Sequence, residues 1–221
     1  MMSKVIVVEG LPGSGKTTTA QNIASFLETK GHSVELFLEY SQNNPVGFLW
    51  NEETIPDAIK KTTLEEYPFS SWLKVPSKGS DITVLESRFL QNTSYFWMLN
   101  GKEDNTAASI PKKILEEING HSEFKLVYLN HSDPGIHLKN IIEERKPKHP
   151  NWIPFVTNFH DKQPWLQKRG LEGESGFYKA LLYWAGLQEK IFEQLDCSKM
   201  EIINPNDDWE DCLKNVFAFV E

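Results

Sequence analysis

Two hydrophobic rhythms alternate along this chain, one with the period of a strand interior and one with the period of a helix face. Val5-Ile6-Val7-Val8 is an unbroken β-branched run that meets a glycine-rich turn within two residues. Such a run predicts a central strand of a parallel sheet, covered on both faces. Beyond the turn, Ala20, Ile23, Ala24 and Leu27 recur at helical spacing, and Gly31 is placed to close that helix. Further strands are predicted at 34–38, 82–85, 126–129 and 200–203. Helices are predicted over about 89–99, about 110–118, a segment carrying Ile136, Ile141 and Ile142, about 176–195, and 209–220. Asp207 or Asp208 is the expected N-cap of the last helix. Strands alternating with helices predict the α/β class: a doubly wound, five-stranded parallel sheet flanked by helices, in one domain over 1–221.

Two stretches break the rhythm. Between 41 and 80, Pro45, Pro56, Pro68 and Pro76 interrupt any period, and Phe48, Trp50, Tyr67, Phe69 and Trp72 are scattered. From 146 to 167 the chain is rich in Pro, Trp and Lys, and an exposed excursion is expected there. Its aromatics Trp152, Phe155, Phe159 and Trp165 could cover a flat substrate or simply pack the loop.

Composition narrows the picture. A length of 221 residues suits one sizeable core, and a net charge of −8 argues against polymer nucleic acid as a partner. A small phosphorylated ligand remains compatible, because it needs only a local cluster of positive groups. Cys197 and Cys212 show neither metal-ligand spacing nor a disulfide framework, and His121, His131, His137, His149 and His160 show no zinc-type spacing and are mostly expected at the surface. No apolar run approaches the ~20 residues that span a bilayer. The chain enters its first strand almost directly from Met1, so no leader and no membrane partner are expected, and a cytoplasmic setting is. Assembly is left open, a homodimer included.

The chemistry lies in the turn after the first strand. Gly10-Leu11-Pro12-Gly13-Ser14-Gly15-Lys16-Thr17 matches G-x-x-x-x-G-K-[ST] in full, between a buried strand and an amphipathic helix. This is a P-loop, or Walker A, cradle: backbone N–H groups turn inward around an anion, and the helix adds its positive end. Gly10, Pro12, Gly13, Ser14, Gly15, Lys16, Thr17 and Thr18 are the predicted binding residues for the phosphates of a nucleoside triphosphate, ATP. Lys16 reaches the β- and γ-phosphates, the Thr17 hydroxyl joins a Mg²⁺ shell, and Thr18 adds a hydroxyl near the α-phosphate. No Asn-Lys-x-Asp segment of guanine-specific GTPases is present. The parallel strands should end on one crevice, bringing Glu9, Glu39 and Glu86 around the γ-phosphate. Among these, Glu9 is expected to make a structural hydrogen bond near the cradle.

Val8-Glu9-Gly10-Leu11-Pro12-Gly13-Ser14-Gly15-Lys16-Thr17-Thr18 resembles the opening of thymidylate kinases, and later segments resemble deoxynucleoside kinases of the same superfamily. Glu39 stands where those enzymes place a Glu near the acceptor. Val84-Leu85-Glu86-Ser87-Arg88 is similar to their acidic-arginine motif, and Ile141-Ile142-Glu143-Glu144-Arg145 and Lys168-Arg169-Gly170-Leu171-Glu172 resemble their lid text. The chain departs from the family at Pro12, where an Asp is usual, and at Ser87, which separates the acid from the arginine.

The resemblance implies a P-loop NTPase fold with a lid insertion at 145–172 and an acceptor-binding region at 41–80. It implies an ATP- and Mg²⁺-dependent kinase, with Lys16, Glu39, Arg88, Arg145 and Arg169 as catalytic candidates and Thr17 and Glu86 as metal ligands. The acceptor is expected to be a small molecule, nucleoside- or nucleotide-like. A kinase for another hydroxyl compound, such as an antibiotic, and a nucleotide-binding regulatory module with little turnover are the alternatives.

Overall fold

The computed structural model describes residues 3–41, 44–46, 69–75, 79–102 and 104–221. Most of the acceptor region expected at 41–80, including Phe48, Trp50 and Tyr67, lies outside the described residues.

Five strands, β1 (Ser3–Gly10), β2 (Val34–Phe37), β3 (Ile82–Glu86), β4 (Ser122–Asn130) and β5 (Ser198–Ile203), form one parallel sheet in the order β2-β3-β1-β4-β5. The run Val5–Val8 is central and wholly buried. Its alternate side chains enter opposite cores: Ile6 and Val8 meet α1 (Lys16–Thr29), while Val5 and Val7 belong to the larger cluster on the other face. Burial of both faces is what makes the strand read as a continuous apolar run.

α1 ends as expected, with Gly31 and His32 donating to the carbonyls of Glu28 (3.0 Å) and Leu27 (3.2 Å). The larger core is built by α2 (Gln91–Leu99), α3 (Asp104–Ile118), α4 (Pro134–Lys148), α5 (Trp152–His160), α6 (Pro164–Gln167) and α7 (Gly173–Gln194). The closing helix α8 (Trp209–Val220) covers the smaller core beside α1, and its N-cap is Asp208, whose carboxylate accepts from the Asp211 N–H at 3.0 Å.

Two expectations change. Helix α3 begins six residues earlier than the predicted 110, because Pro111 lies inside it. A proline lacks the N–H of an interior turn and reads as a break, but buried Ala107 and Ala108 tie the preceding turn to the core. The stretch at 146–167 is not an exposed excursion: it folds into α5 and α6, and Val156, His160, Trp165 and Leu166 are buried. Its apolar residues are too irregularly spaced to show a period, since each helix is short. Among the histidines, His121 and His149 are exposed and His137 half-buried, while His131 and His160 are buried. Among the described residues, no helix is long and apolar enough to cross a membrane.

Candidate active site

The carboxyl ends of β1 and β3, with the segment after β2, enclose a cleft of about 670 Å³. Pro12, Gly13, Gly15, Lys16, Thr17 and Thr18 line one side of it, and Glu39, Glu86 and Arg145 are on its other walls. Gly10 and Ser14 are buried in the turn.

The cradle is shaped from outside. Gly13 has φ 78° and Gly15 φ 91°, values that L side chains rarely adopt. A Cβ on Gly13 would come within 2.3 Å of Ile141 on α4, and one on Gly15 within 2.7 Å of the Trp209 indole on α8. Gly15 is also the N-cap of α1, where it offers no capping side chain, and no acid stands in the first turn. The first N–H groups of the helix are thus left for an anion.

Lys16, 6% exposed, folds over the turn and donates to the carbonyls of Gly10 (3.0 Å) and Leu11 (2.9 Å). An ammonium has three donors, so one remains for a ligand. Burial pushes its pKa down, and Glu39, Glu9 and Glu86 hold the charge in place.

Glu9 is fully buried at the end of β1. Its carboxylate accepts the backbone N–H groups of Phe89 (2.7 Å), Leu90 (2.7 Å) and Gln91 (3.2 Å). Leu90 is the N-cap of α2 and cannot cap it with its own side chain, so Glu9 supplies the acceptor from another strand. Burial pushes the Glu9 carboxyl up to about 7, against the pull of those three N–H groups and Lys16.

Glu86 ends β3 beside the cradle. One carboxylate oxygen accepts the Thr17 hydroxyl at 2.5 Å, and the other accepts the Glu39 N–H at 3.1 Å. Glu39 in turn accepts the Gln91 amide at 2.7 Å. Burial raises the Glu39 pKa, with Lys16 and Arg88 opposing. Arg88 is buried at 4% exposure and donates to the Glu39 carbonyl, so it holds the backbone that carries the acid. Ser87 (φ 63°) and Arg88 (φ 79°) are successive non-glycine residues in the left-handed region, a conformation that costs about 1–3 kcal/mol and tends to be kept where a site needs it.

The two lid arginines separate. Arg145, on α4, lines the cleft. Arg169 does not: its guanidinium lies 4.2 Å over the Trp165 ring and donates to the Trp165 carbonyl at 3.2 Å, in a different hollow with Lys102, Lys168 and Tyr183. Trp165, which Arg169 covers, is itself anchored in the core.

Sequence reading did not find Gln91 or Tyr40, which both line the cleft, nor the attachment of His137 to the Pro12 carbonyl at 2.8 Å. The observed N-cap of α2, Leu90, lies inside the helix predicted from about 89, so the sequence carried no signal that this helix takes its cap from Glu9. Nothing local marks His137. Burial lowers its pKa and pushes that of His131 down to about 4.

No family model matches the chain, and no curated protein matches it by sequence. Solved structures do match. The YorR protein of Bacillus subtilis, solved in complex with phosphorylated GDP, superposes with a TM-score of 0.54 at 13% identity, over 98% of this chain and 95% of that one. The thymidylate kinase of Ehrlichia chaffeensis superposes with a TM-score of 0.52 at 15% identity, over 100% of this chain and 99% of that one. At such identities the likeness speaks for the fold alone, and the chain has the α/β fold of the P-loop kinases.

Proposed function

We propose that the protein is an ATP-dependent phosphotransferase that moves the γ-phosphoryl group to a small acceptor, nucleoside- or nucleotide-like. The observation that carries the reading is that Lys16, Thr17, Glu86, Glu39 and Arg145 line one cleft. A phosphate-binding module needs the cradle alone. An acid tethered across from it by Gln91 and Arg88 is what an acceptor requires.

Phosphoryl transfer is mostly positioning and neutralisation of charge. The cradle N–H groups and Lys16 hold the β- and γ-phosphates. Thr17 and Glu86 would hold Mg²⁺ together with phosphate oxygens and water, and a hydroxyl beside a carboxylate suits an ion that keeps few protein ligands. Such an ion neutralises charge on the phosphates. No larger His/Cys/Asp/Glu cluster able to hold a metal occurs among the described residues. For a hydroxyl acceptor, Glu39 takes the proton as the oxygen attacks, and its raised pKa favours that role. Arg145 meets the negative charge on the moving group.

Glu39→Gln tests the acid. Acceptor-stimulated ADP release should fall by about a hundredfold or more while MgATP affinity changes little. Stimulated release that is unchanged in this variant would remove Glu39 from the reaction. Tight MgATP binding with no stimulation by any acceptor would favour a regulatory module.

A further inference from the structure

Two histidines lie against the cradle, and the proposed reaction uses neither. His137, in the first turn of α4, places Nε2 at 2.8 Å from the Pro12 carbonyl oxygen. A carbonyl oxygen only accepts, so Nε2 carries the hydrogen. His131, just past β4, stacks on that ring with centroids 3.5 Å apart and planes 12° apart. His131 is buried, and its backbone N–H donates to the Asn130 side-chain oxygen at 2.8 Å, so the main chain that carries the ring is held while the ring packs flat on His137.

The geometry of one peptide gives this contact a consequence. The Pro12–Gly13 bond is trans, as are all the described peptides. In a trans peptide the C=O and the following N–H point in opposite directions. A hydrogen bond drawing the Pro12 carbonyl toward α4 therefore turns the Gly13 N–H away from α4. Gly13 lines the cleft and presents no side chain there. Ile141, one turn further along α4, fills the space where a Gly13 Cβ would stand. One helix thus grips two consecutive cradle residues, the first by a hydrogen bond and the second by contact.

We propose that His137 is a positioning residue of the phosphate cradle: it fixes the Pro12–Gly13 peptide so that the Gly13 N–H faces the bound phosphates, and His131 backs its ring. The inference rests on the reading of Gly10–Thr17 as a triphosphate site. Because Nε2 keeps its hydrogen whether the ring is neutral or charged, the device is a strut rather than a pH switch.

The test is MgATP binding by calorimetry to the wild type and to His137→Phe, His137→Gln, His131→Ala and Lys16→Ala. His137→Phe keeps a ring on His131 and deletes the donor, and affinity should weaken about three- to tenfold. His137→Gln restores an N–H donor and should recover most of that loss. His131→Ala removes the backing ring and should weaken binding about twofold. Thermal unfolding without nucleotide separates affinity from folding, and Tm shifts below about 2 °C are expected in the His137 variants.

Wild-type affinity in His137→Phe would overturn the inference. So would equal weakening in the Phe and Gln variants, since that would make ring shape and not the donor decisive. Unchanged affinity in His131→Ala would overturn the backing role. If the wild type binds MgATP no better than Lys16→Ala, the cradle reading fails first and this inference with it. Binding that is lost in Lys16→Ala but identical in the wild type and both His137 variants defeats the inference alone.

Discussion

The cleft and the α5–α6 insertion both bury polar side chains, but the cleft buries charges and the insertion buries neutral groups. Glu9, Lys16, Glu86 and Arg88 are each at most 6% exposed and surround one another at the ends of β1 and β3. In the insertion, His160 donates from Nδ1 to the Val156 carbonyl at 2.6 Å and meets the Tyr95 hydroxyl through Nε2. Burial there pushes the His160 pKa down to about 4, which keeps the ring neutral. Buried charge is retained only with partners, and an uncompensated one is strongly destabilising. The cleft charges are partnered by each other at the mouth of an open cleft, whereas the insertion is finished by its own contacts. The difference favours the first as the candidate site and the second as its support.

The strongest way to break that contrast is to hollow out the support. Trp165 is 5% exposed between Tyr183 and Arg169. Trp165→Ala should cost about 3–5 kcal/mol of stability by denaturant unfolding. MgATP affinity of the remaining folded protein should stay within about twofold. A loss of affinity with little loss of stability would make the insertion part of the site.

Next in size is the dependence of stability on pH, where the two regions carry opposite signs. His160 ordinarily titrates near 6.5 and is held at about 4, so its contribution is complete above 6.5 and is lost as pH falls through 4. The total lost across that range is about 3 kcal/mol. Glu9 is raised from 4.5 to about 7, so the folded state binds its proton more tightly and this group favours folding as pH falls from 7 toward 4.5. Urea midpoints from pH 4 to 8 should show a shallower acid loss in His160→Phe and a steeper one in Glu9→Gln, relative to the wild type. The same slope change in both variants would contradict the assignment.

A smaller effect separates the two arginines. Arg145→Ala should lower acceptor-stimulated turnover about tenfold or more through loss of a charged contact, while Arg169→Ala should leave it within about twofold. The reverse order would return Arg169 to the lid.

How far the sequence could be read follows the same division. The cradle is eight contiguous residues, and every physical requirement of an anion turn is local to them, so Gly10 to Thr17 are legible without a partner. Strands β1, β3 and β4 are legible because burial on both faces leaves an apolar run. Helix α3 was cut short at Pro111, since the burial of Ala107 and Ala108 that overrides the proline is tertiary. The pairs that define the rest of the cleft are long-range: Gln91 with Glu39 spans 52 positions and His137 with Pro12 spans 125. No periodicity or local spacing encodes them. Arg145 and Arg169 looked equivalent because each sits in basic text, and only the anchoring of Trp165 tells them apart.

The central claim is that the cleft transfers a phosphoryl group, and the most direct measurement follows the γ-phosphate of labelled MgATP into an acceptor across a panel of nucleosides, nucleotides and hydroxylated antibiotics. At least one labelled product is expected with the wild type, reduced about a hundredfold or more in Lys16→Ala, in which the charge facing the phosphates is gone. No labelled product from any acceptor, with the same basal ADP release in both proteins, would contradict it.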